Sequence, residues 1–180
     1  LEDLQIMREL SSILTKVKHK SGHIDFESSD VSVVKDVFEN DRIIEFESRS
    51  SEEAEKLIEN FMIIANETVA NHFFYMDLPS VYRIHGEPNE ERLRKFINTL
   101  GSLGINLKLD LNKITPKTIQ KIINKLKDYK EFPVLSVLML SCMDKAIYDP
   151  KNIGHFGIAS KCYTHFTSPI RRYPDTTIHR

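Results

Sequence analysis

This 180-residue chain holds no apolar run near the length of a membrane span, so no membrane-spanning helix is expected. Nor does a charged-then-apolar-then-small leader pattern open it. Leu1 stands where an initiator methionine would, and the last residue is Arg180, which together point to an excised piece of a longer protein. Cysteine is scarce: Cys142 and Cys162 are the only two, and neither sits in the paired spacing of a metal site. Reduced, buried thiols in a cytoplasmic protein are the expectation. His19 and His23 are four apart, but Ser21-Gly22 between them breaks any helix that would aim both at one zinc ion. Internal repeats, low-complexity tracts and inter-domain linkers are also missing. A net charge of −1 excludes a protein that is basic over its whole surface.

What remains is the composition of an ordinary globular domain with a real core, or of part of a larger one: 41% hydrophobic and 28% charged residues. The near-zero net charge conceals a gradient. Residues 39–59 hold eight acids against three bases, whereas residues 151–180 hold five bases against one acid, plus His155, His165 and His179. A basic end of this kind suits a phosphate-bearing partner, although ordinary surface charge also produces it.

Helical spacing of Leu4, Ile6, Met7, Leu10, Ile13 and Leu14 predicts a first helix over 3–16. The alternating runs Ile24/Phe26, Val31/Val33 and Ile44/Phe46 then predict two or three antiparallel strands. Ser50 with Glu53 reads as a capping box for a long helix to about Phe73, whose Ala54, Leu57, Ile58, Phe61, Met62, Ala65 and Val69 stripe predicts core packing. Asn66 and His72 lie along or beside that stripe and need polar partners. A short extended run crosses "LPSVYRIHGEPN". Asn89 caps the next helix, which ends near Gly101 or Gly104. Thr115-Pro116 opens another to about Asp128, and Pro133 opens a last one carrying Leu135, Leu138, Met139, Met143 and Ala146. The lysines of 108–130 read as a solvated face.

The closing stretch, "YTHFTSPIRRYPDTTIHR", carries the chemistry. Ser168-Pro169 repeats a helix-start pattern, which would place Arg171 and Arg172 in a first turn. Cations there oppose the helix dipole by roughly 0.3–1 kcal/mol each. They make sense if an anion such as phosphate fills the site, gripped by guanidinium groups and free backbone N–H groups. Pairing with carboxylates such as those of 39–59 is the alternative. Pro174 requires the turn to kink or stop, with Asp175 available to cap a restarted helix.

"GHFGIASKCYTHFTSPIRRYPD", followed by "HR", resembles the signature of the RNB-type exoribonucleases, the ribonuclease II and ribonuclease R family, with the ribonuclease R branch the closer likeness. "KLIENFMIIANETVANHF", "VYRIHGEPNEERL" and "MDKAIYDPKNIGHFGIA" extend the resemblance upstream, so that it covers nearly the whole chain and is weakest between 105 and 132. The resemblance implies a processive hydrolytic exoribonuclease that degrades single-stranded RNA from the 3′ end to nucleoside 5′-monophosphates. It implies two divalent ions, usually Mg2+, held by clustered aspartates. Arg171 matches the arginine that contacts the scissile phosphate, and Arg172, Ser168, His165 and Tyr163 would line or support the RNA channel. Tyr82, Arg83 and His85 match the stretch that lines the RNA path, and Asn66 matches a helix asparagine in the cleft. Tyr82 read on its own is equally a core strand residue, His85 a cap for the turn at Gly86, and His155 and Phe156 braces for the loop.

Two features depart from that pattern. No acidic set of the kind formed by the family's aspartate cluster occurs in this chain, so no metal site is expected in it, and the catalytic glutamate that the resemblance places after the arginines is expected beyond Arg180. The expectation is therefore a C-terminal portion of an RNB catalytic domain, residues 1–180, that alone neither holds the metal pair nor cleaves RNA. Accessory OB-fold RNA-binding domains would flank it in the parent, with no membrane or DNA partner. The expected fold is mixed α+β: short antiparallel strands near the start, then packed helices. Two other readings remain: an RNB-like RNA-binding protein that has lost catalysis, and a helical scaffold with no RNA role.

Overall fold

In the computed structural model the described residues are 2–24, 30–36, 42–49, 52–106 and 113–180. The first helix, α1 (Glu2–Ser21), runs past its apolar periodicity. Its later turns are held by polar contacts that periodicity does not register: Lys18 Nζ donates to Glu59 and to Asn60, each at 3.0 Å. Acids in the first turn and bases in the last suit the helix dipole. The helix stops at Gly22, whose φ of 99° is left-handed. A Cβ there would also lie 2.8 Å from the Lys117 backbone nitrogen, so side chains are doubly disfavoured. Because α1 ends between His19 and His23, the two imidazoles do not share a helical face.

Strands β1 (Asp30–Asp36) and β2 (Arg42–Arg49) pair antiparallel, with Val33 opposite Phe46 and an irregularity at Val34/Lys35. Phe26 of the predicted strand set and the Ser50 cap lie outside the described residues. The long helix α2 (Glu53–Tyr75) is instead capped by Glu52, whose backbone N–H donates to Glu55 at 3.0 Å in a reciprocal box. Contrary to the core-packing expectation, the residues that α2 buries are Asn60, Asn66 and Ala70. Its seam with α1 is polar. The Asn60 amide donates to Ser11 Oγ and Thr15 Oγ1, both at 2.9 Å, while Ile6, Leu10, Ile13 and Val17 of α1 face outward.

The apolar core is built by three later helices. Asn89 accepts from Arg92 N at 3.1 Å and starts α3 (Glu90–Ser102). Thr115 and Thr118 form a reciprocal cap, with Pro116 at the first position, for α4 (Pro116–Leu126). The next helix, α5, spans Phe132–Ser141, so Met143 and Ala146 fall beyond it rather than inside. Leu93, Phe96 and Leu100 of α3 meet Ile119, Ile122, Ile123 and Leu126 of α4 and Leu135 and Met139 of α5. Each such buried aliphatic side chain contributes about 1.5–3 kcal/mol. Met143 and Phe156 join the same cluster, which anchors the signature loop to the core.

A second, smaller pairing serves the site. Strand β3 (Tyr82–Ile84) runs antiparallel to β4 (Ile147–Asp149), with Arg83 opposite Tyr148. Beneath it, Tyr82, Ile84, Ala70 and Cys162 form a separate apolar cluster. Both cysteines are buried and unbridged. None of the described helices is long and apolar enough to cross a membrane. The α+β expectation of short antiparallel strands followed by packed helices agrees with this architecture.

Candidate functional site: a pinned loop carrying paired arginines

The loop from Tyr163 to Thr167 has little regular structure of its own, so side chains distant in sequence must satisfy its backbone. Asn66, 2% exposed on α2, does most of this. Its Oδ1 accepts from Phe166 N at 2.9 Å and Thr167 N at 3.2 Å, and its Nδ2 donates to the Tyr163 hydroxyl at 2.9 Å. Thr164, fully buried, donates its hydroxyl to the Val81 carbonyl, and Arg83 N donates to the Tyr163 carbonyl at 2.9 Å. The loop is thus sewn to α2 on one side and to β3 on the other. Burial raises the Tyr163 phenol above its ordinary pKa, against a smaller opposing effect from the Asn66 hydrogen bond.

Histidines brace the loop's approach. Gly157 N–H donates to His85 Nδ1 at 2.9 Å, so the His85 proton sits on Nε2, which donates to the Asp144 carbonyl at 2.7 Å. Both ring nitrogens of His85 are therefore used inside the protein, where they join the 154–158 loop to the turn after α5. His155 lies beside that ring, 5.0 Å between centroids, and burial followed by the His85 neighbour lowers its pKa to about 4. His165 falls to about 4 as well, through burial first and then the Arg172 charge. Its Nδ1 shares a 2.6 Å hydrogen bond with the Tyr148 hydroxyl, and its ring stands edge-on to Tyr163 at 5.7 Å. The Arg83 guanidinium covers the other part of this assembly, 4.7 Å from the Tyr148 ring centroid. Near neutral pH both imidazoles are uncharged.

At the end of the chain the helix-start expectation for Ser168-Pro169 does not hold. Residues 169–171 form a turn, in which Arg171 N and Arg172 N donate back to the Ser168 carbonyl at 3.3 and 3.2 Å. The seven-residue helix α6 (Tyr173–His179) begins only afterwards, with Arg172 at its N-cap position. Nor are the backbone N–H groups of residues 166–168, which lead into this turn, free for an anion. Ser168 N–H is taken by Asp175 Oδ1 at 2.8 Å, just as Asn66 takes those of Phe166 and Thr167. Asp175 does not cap a restarted helix; it is fully buried within the first turn of α6.

The two arginines are consequently unlike. Arg172 donates from Nε at 3.2 Å and Nη2 at 2.9 Å to Asp175 Oδ1, a pair whose arginine side chain is 22% exposed. This is carboxylate pairing, with a partner three residues away rather than in 39–59. Arg171 is exposed and has no ion-pair partner among the described residues. A groove of about 630 Å³ opens between α2 and this loop. Its floor is Ala54, Ile58, Met62 and Ile63, with Glu55, Glu59, Asn66, Tyr163 and Arg172 around it. The apolar stripe of α2 that reads as core in the sequence is thus the floor of a cleft.

Of the residues singled out from sequence, Asn66, Tyr163 and Arg172 converge on the groove, with His165 against Tyr163 and Ser168 tied to Arg172 through Asp175. Arg83 reaches the loop by its backbone and stacks on Tyr148. Tyr82 is 5% exposed against Phe74 and belongs to the small apolar cluster; His85 is a strut. Sequence reasoning missed Tyr148, Glu55, Glu59 and the clamping role of Asp175. Only Asp175, as the sole acid among the closing bases, carried a signal. Among the described residues no group of three or more His, Cys, Asp or Glu side chains converges as a metal site requires. The described donor set therefore does not fit a divalent pair.

Known proteins resemble this chain over nearly its whole length. The family model for the RNB domain matches residues 1–180. Ribonuclease R of Thermotoga maritima is 46% identical over 96% of this chain, which corresponds to 24% of that protein. Among solved structures, Mycoplasma genitalium RNase R in complex with ribose-methylated single-stranded RNA superposes with a TM-score of 0.91 at 36% identity, over 98% of this chain and 27% of the other. Yeast Ssd1, a pseudonuclease, is more distant, with a TM-score of 0.61 at 26% identity over 74% of this chain and 16% of its own. The chain spans about a quarter of the length of the ribonuclease R it matches.

Proposed function

The chain belongs to the RNB-domain family, and from that premise we propose that the full-length protein is a 3′-to-5′ processive exoribonuclease. It hydrolyses single-stranded RNA to nucleoside 5′-monophosphates, and this chain forms the later, RNA-facing portion of its catalytic domain. The observation that carries the reading is the asymmetric arginine turn at the groove. Two buried side chains, Asn66 and Asp175, hold the backbone of 166–168, and Arg171 is left exposed without a counter-ion among the described residues. A guanidinium so placed stabilises the charge that develops on a scissile phosphate. The apolar α2 floor suits the face of a nucleobase.

Tyr163, His165, Ser168 and Arg172 shape and support this surface. Mg2+ ions, which would supply charge neutralisation and an activated water, belong to aspartates elsewhere in the full-length protein. OB-fold RNA-binding domains and cytoplasmic residence complete the proposal. The test is hydrolysis of a 5′-labelled single-stranded RNA by the full-length protein with Mg2+. Stepwise shortening from the 3′ end is expected, together with a loss of about 10²–10³-fold in kcat for Arg171→Ala. The 180-residue chain alone should release nothing. A second reading, RNA binding without cleavage, has one observation in its favour, the pseudonuclease among its structural relatives. Tight RNA binding with no shortening by the full-length protein would establish it.

A further inference from the structure

Twin adjacent arginines beside a nucleic-acid groove invite the view that both grip phosphate. The geometry points to a division of labour. We propose that Asp175 is a positioning residue that neutralises Arg172 and locks it to Ser168, leaving Arg171 as the one cation of the pair that engages an RNA phosphate. The inference rests on the RNA-binding reading above and deepens it.

A single oxygen, Asp175 Oδ1, takes the Ser168 N–H at 2.8 Å together with Arg172 Nη2 at 2.9 Å and Nε at 3.2 Å. The Ser168 carbonyl closes the unit by accepting from Arg171 N and Arg172 N. Thr176 adds a second tie, donating its hydroxyl to the Pro169 carbonyl at 2.8 Å. Both ends of the turn that carries Arg171 are therefore fixed to the first turn of α6. A fully buried carboxylate needs a compensating charge, and Arg172 supplies it. Conversely, Arg172 cannot leave for a phosphate without exposing that carboxylate to burial unpaired. The pair carries no net charge, whereas Arg171, exposed beside it, carries a full one with no ion-pair partner among the described residues. Asp175 Oδ2 is buried without a partner in the protein, so the carboxylate has no second cation to fall back on among the described residues.

The salt dependence of RNA binding separates this from two equal phosphate contacts. Each phosphate neutralised on a single strand contributes about −0.7 to the slope of log affinity against log salt. The measurement uses the full-length protein and a labelled oligoadenylate in EDTA, which prevents turnover. Arg171→Gln is expected to flatten the slope by about 0.7. Asp175→Asn keeps size and acceptor but frees the Arg172 charge, and should steepen it by a similar amount. The charge-balanced double variant Arg172→Gln/Asp175→Asn should restore the wild-type slope. Loss of fold alone would weaken binding without this pattern of slopes. If Asp175→Asn does not fold, the double variant decides: a slope as flat as that of Arg171→Gln overturns the proposal. A wild-type protein that fails to bind the oligoadenylate would remove the RNA reading itself. Binding with a flattened double variant removes only the division of labour.

Discussion

The α3–α4–α5 core and the face around Asn66 reach the same depth of burial by opposite means. Leu100 and Asp175 are both at zero exposure. In the core, aliphatic side chains from neighbouring helices interdigitate, and stability follows apolar area, which is non-directional. At the site, buried amide, carboxylate and hydroxyl groups each need a particular partner at a particular angle. Loss of volume in the first arrangement weakens the whole core, whereas loss of one partner in the second releases one loop conformation. The loop that leads to Arg171 is held by the second kind, and the helices of the core by the first.

Substitutions on each side sharpen that contrast. The largest effect is expected for Leu100→Ala, about 2–5 kcal/mol from lost transfer energy and the cavity left behind. The whole core should weaken, read as a lower urea midpoint. Asn66→Ala should cost about 1–3 kcal/mol, because the N–H groups of Phe166 and Thr167 lose their acceptor. In contrast to Leu100→Ala, it should free the 163–168 amides to hydrogen exchange while leaving α3–α5 protected. Equal loss of protection in both regions would break the distinction.

Acidity separates the two regions next. His155 and His165 have folded pKa values of about 4, below the ordinary 6.5 of an unfolded histidine. The unfolded chain therefore binds more protons between these values, so this contribution is complete above about pH 6.5 and is lost as pH falls towards 4. His165→Gln should make the melting temperature depend less steeply on pH across that window, whereas Leu100→Ala should shift it without changing the slope. Smallest of all is the exposed Glu90–Arg94 pair on the outer face of α3. Arg94→Ala should leave the urea midpoint within its error, since screened surface pairs contribute little.

The same contrast explains what could be read in advance. Asn89 and the Thr115-Pro116 start satisfy helix ends through neighbours three residues away, so their logic is contained in a short stretch of sequence. Apolar spacing likewise announced α1 and α5. The rule failed at Ser168-Pro169, where the same local pattern opens a turn rather than a helix. There the N–H groups are claimed by Asn66 from about a hundred residues earlier and by the buried Asp175. On α2 the stripe is correctly helical, and in this chain it lines a groove. Spacing shows which residues share a face, and nothing about what covers that face.

Sequence alone therefore determined the α+β class, most helix starts and, through the long "YTHFTSPIRRYPD" signature, membership in a family. These rest on local hydrogen bonding, periodicity and order along the chain. Tertiary structure decided which arginine is spent and which is free, that His85 and Tyr82 build the scaffold, and that Tyr148 and Asp175 belong to the site. The physical reason is that a buried polar group is defined by its partner, and these partners meet only when the chain folds back on itself.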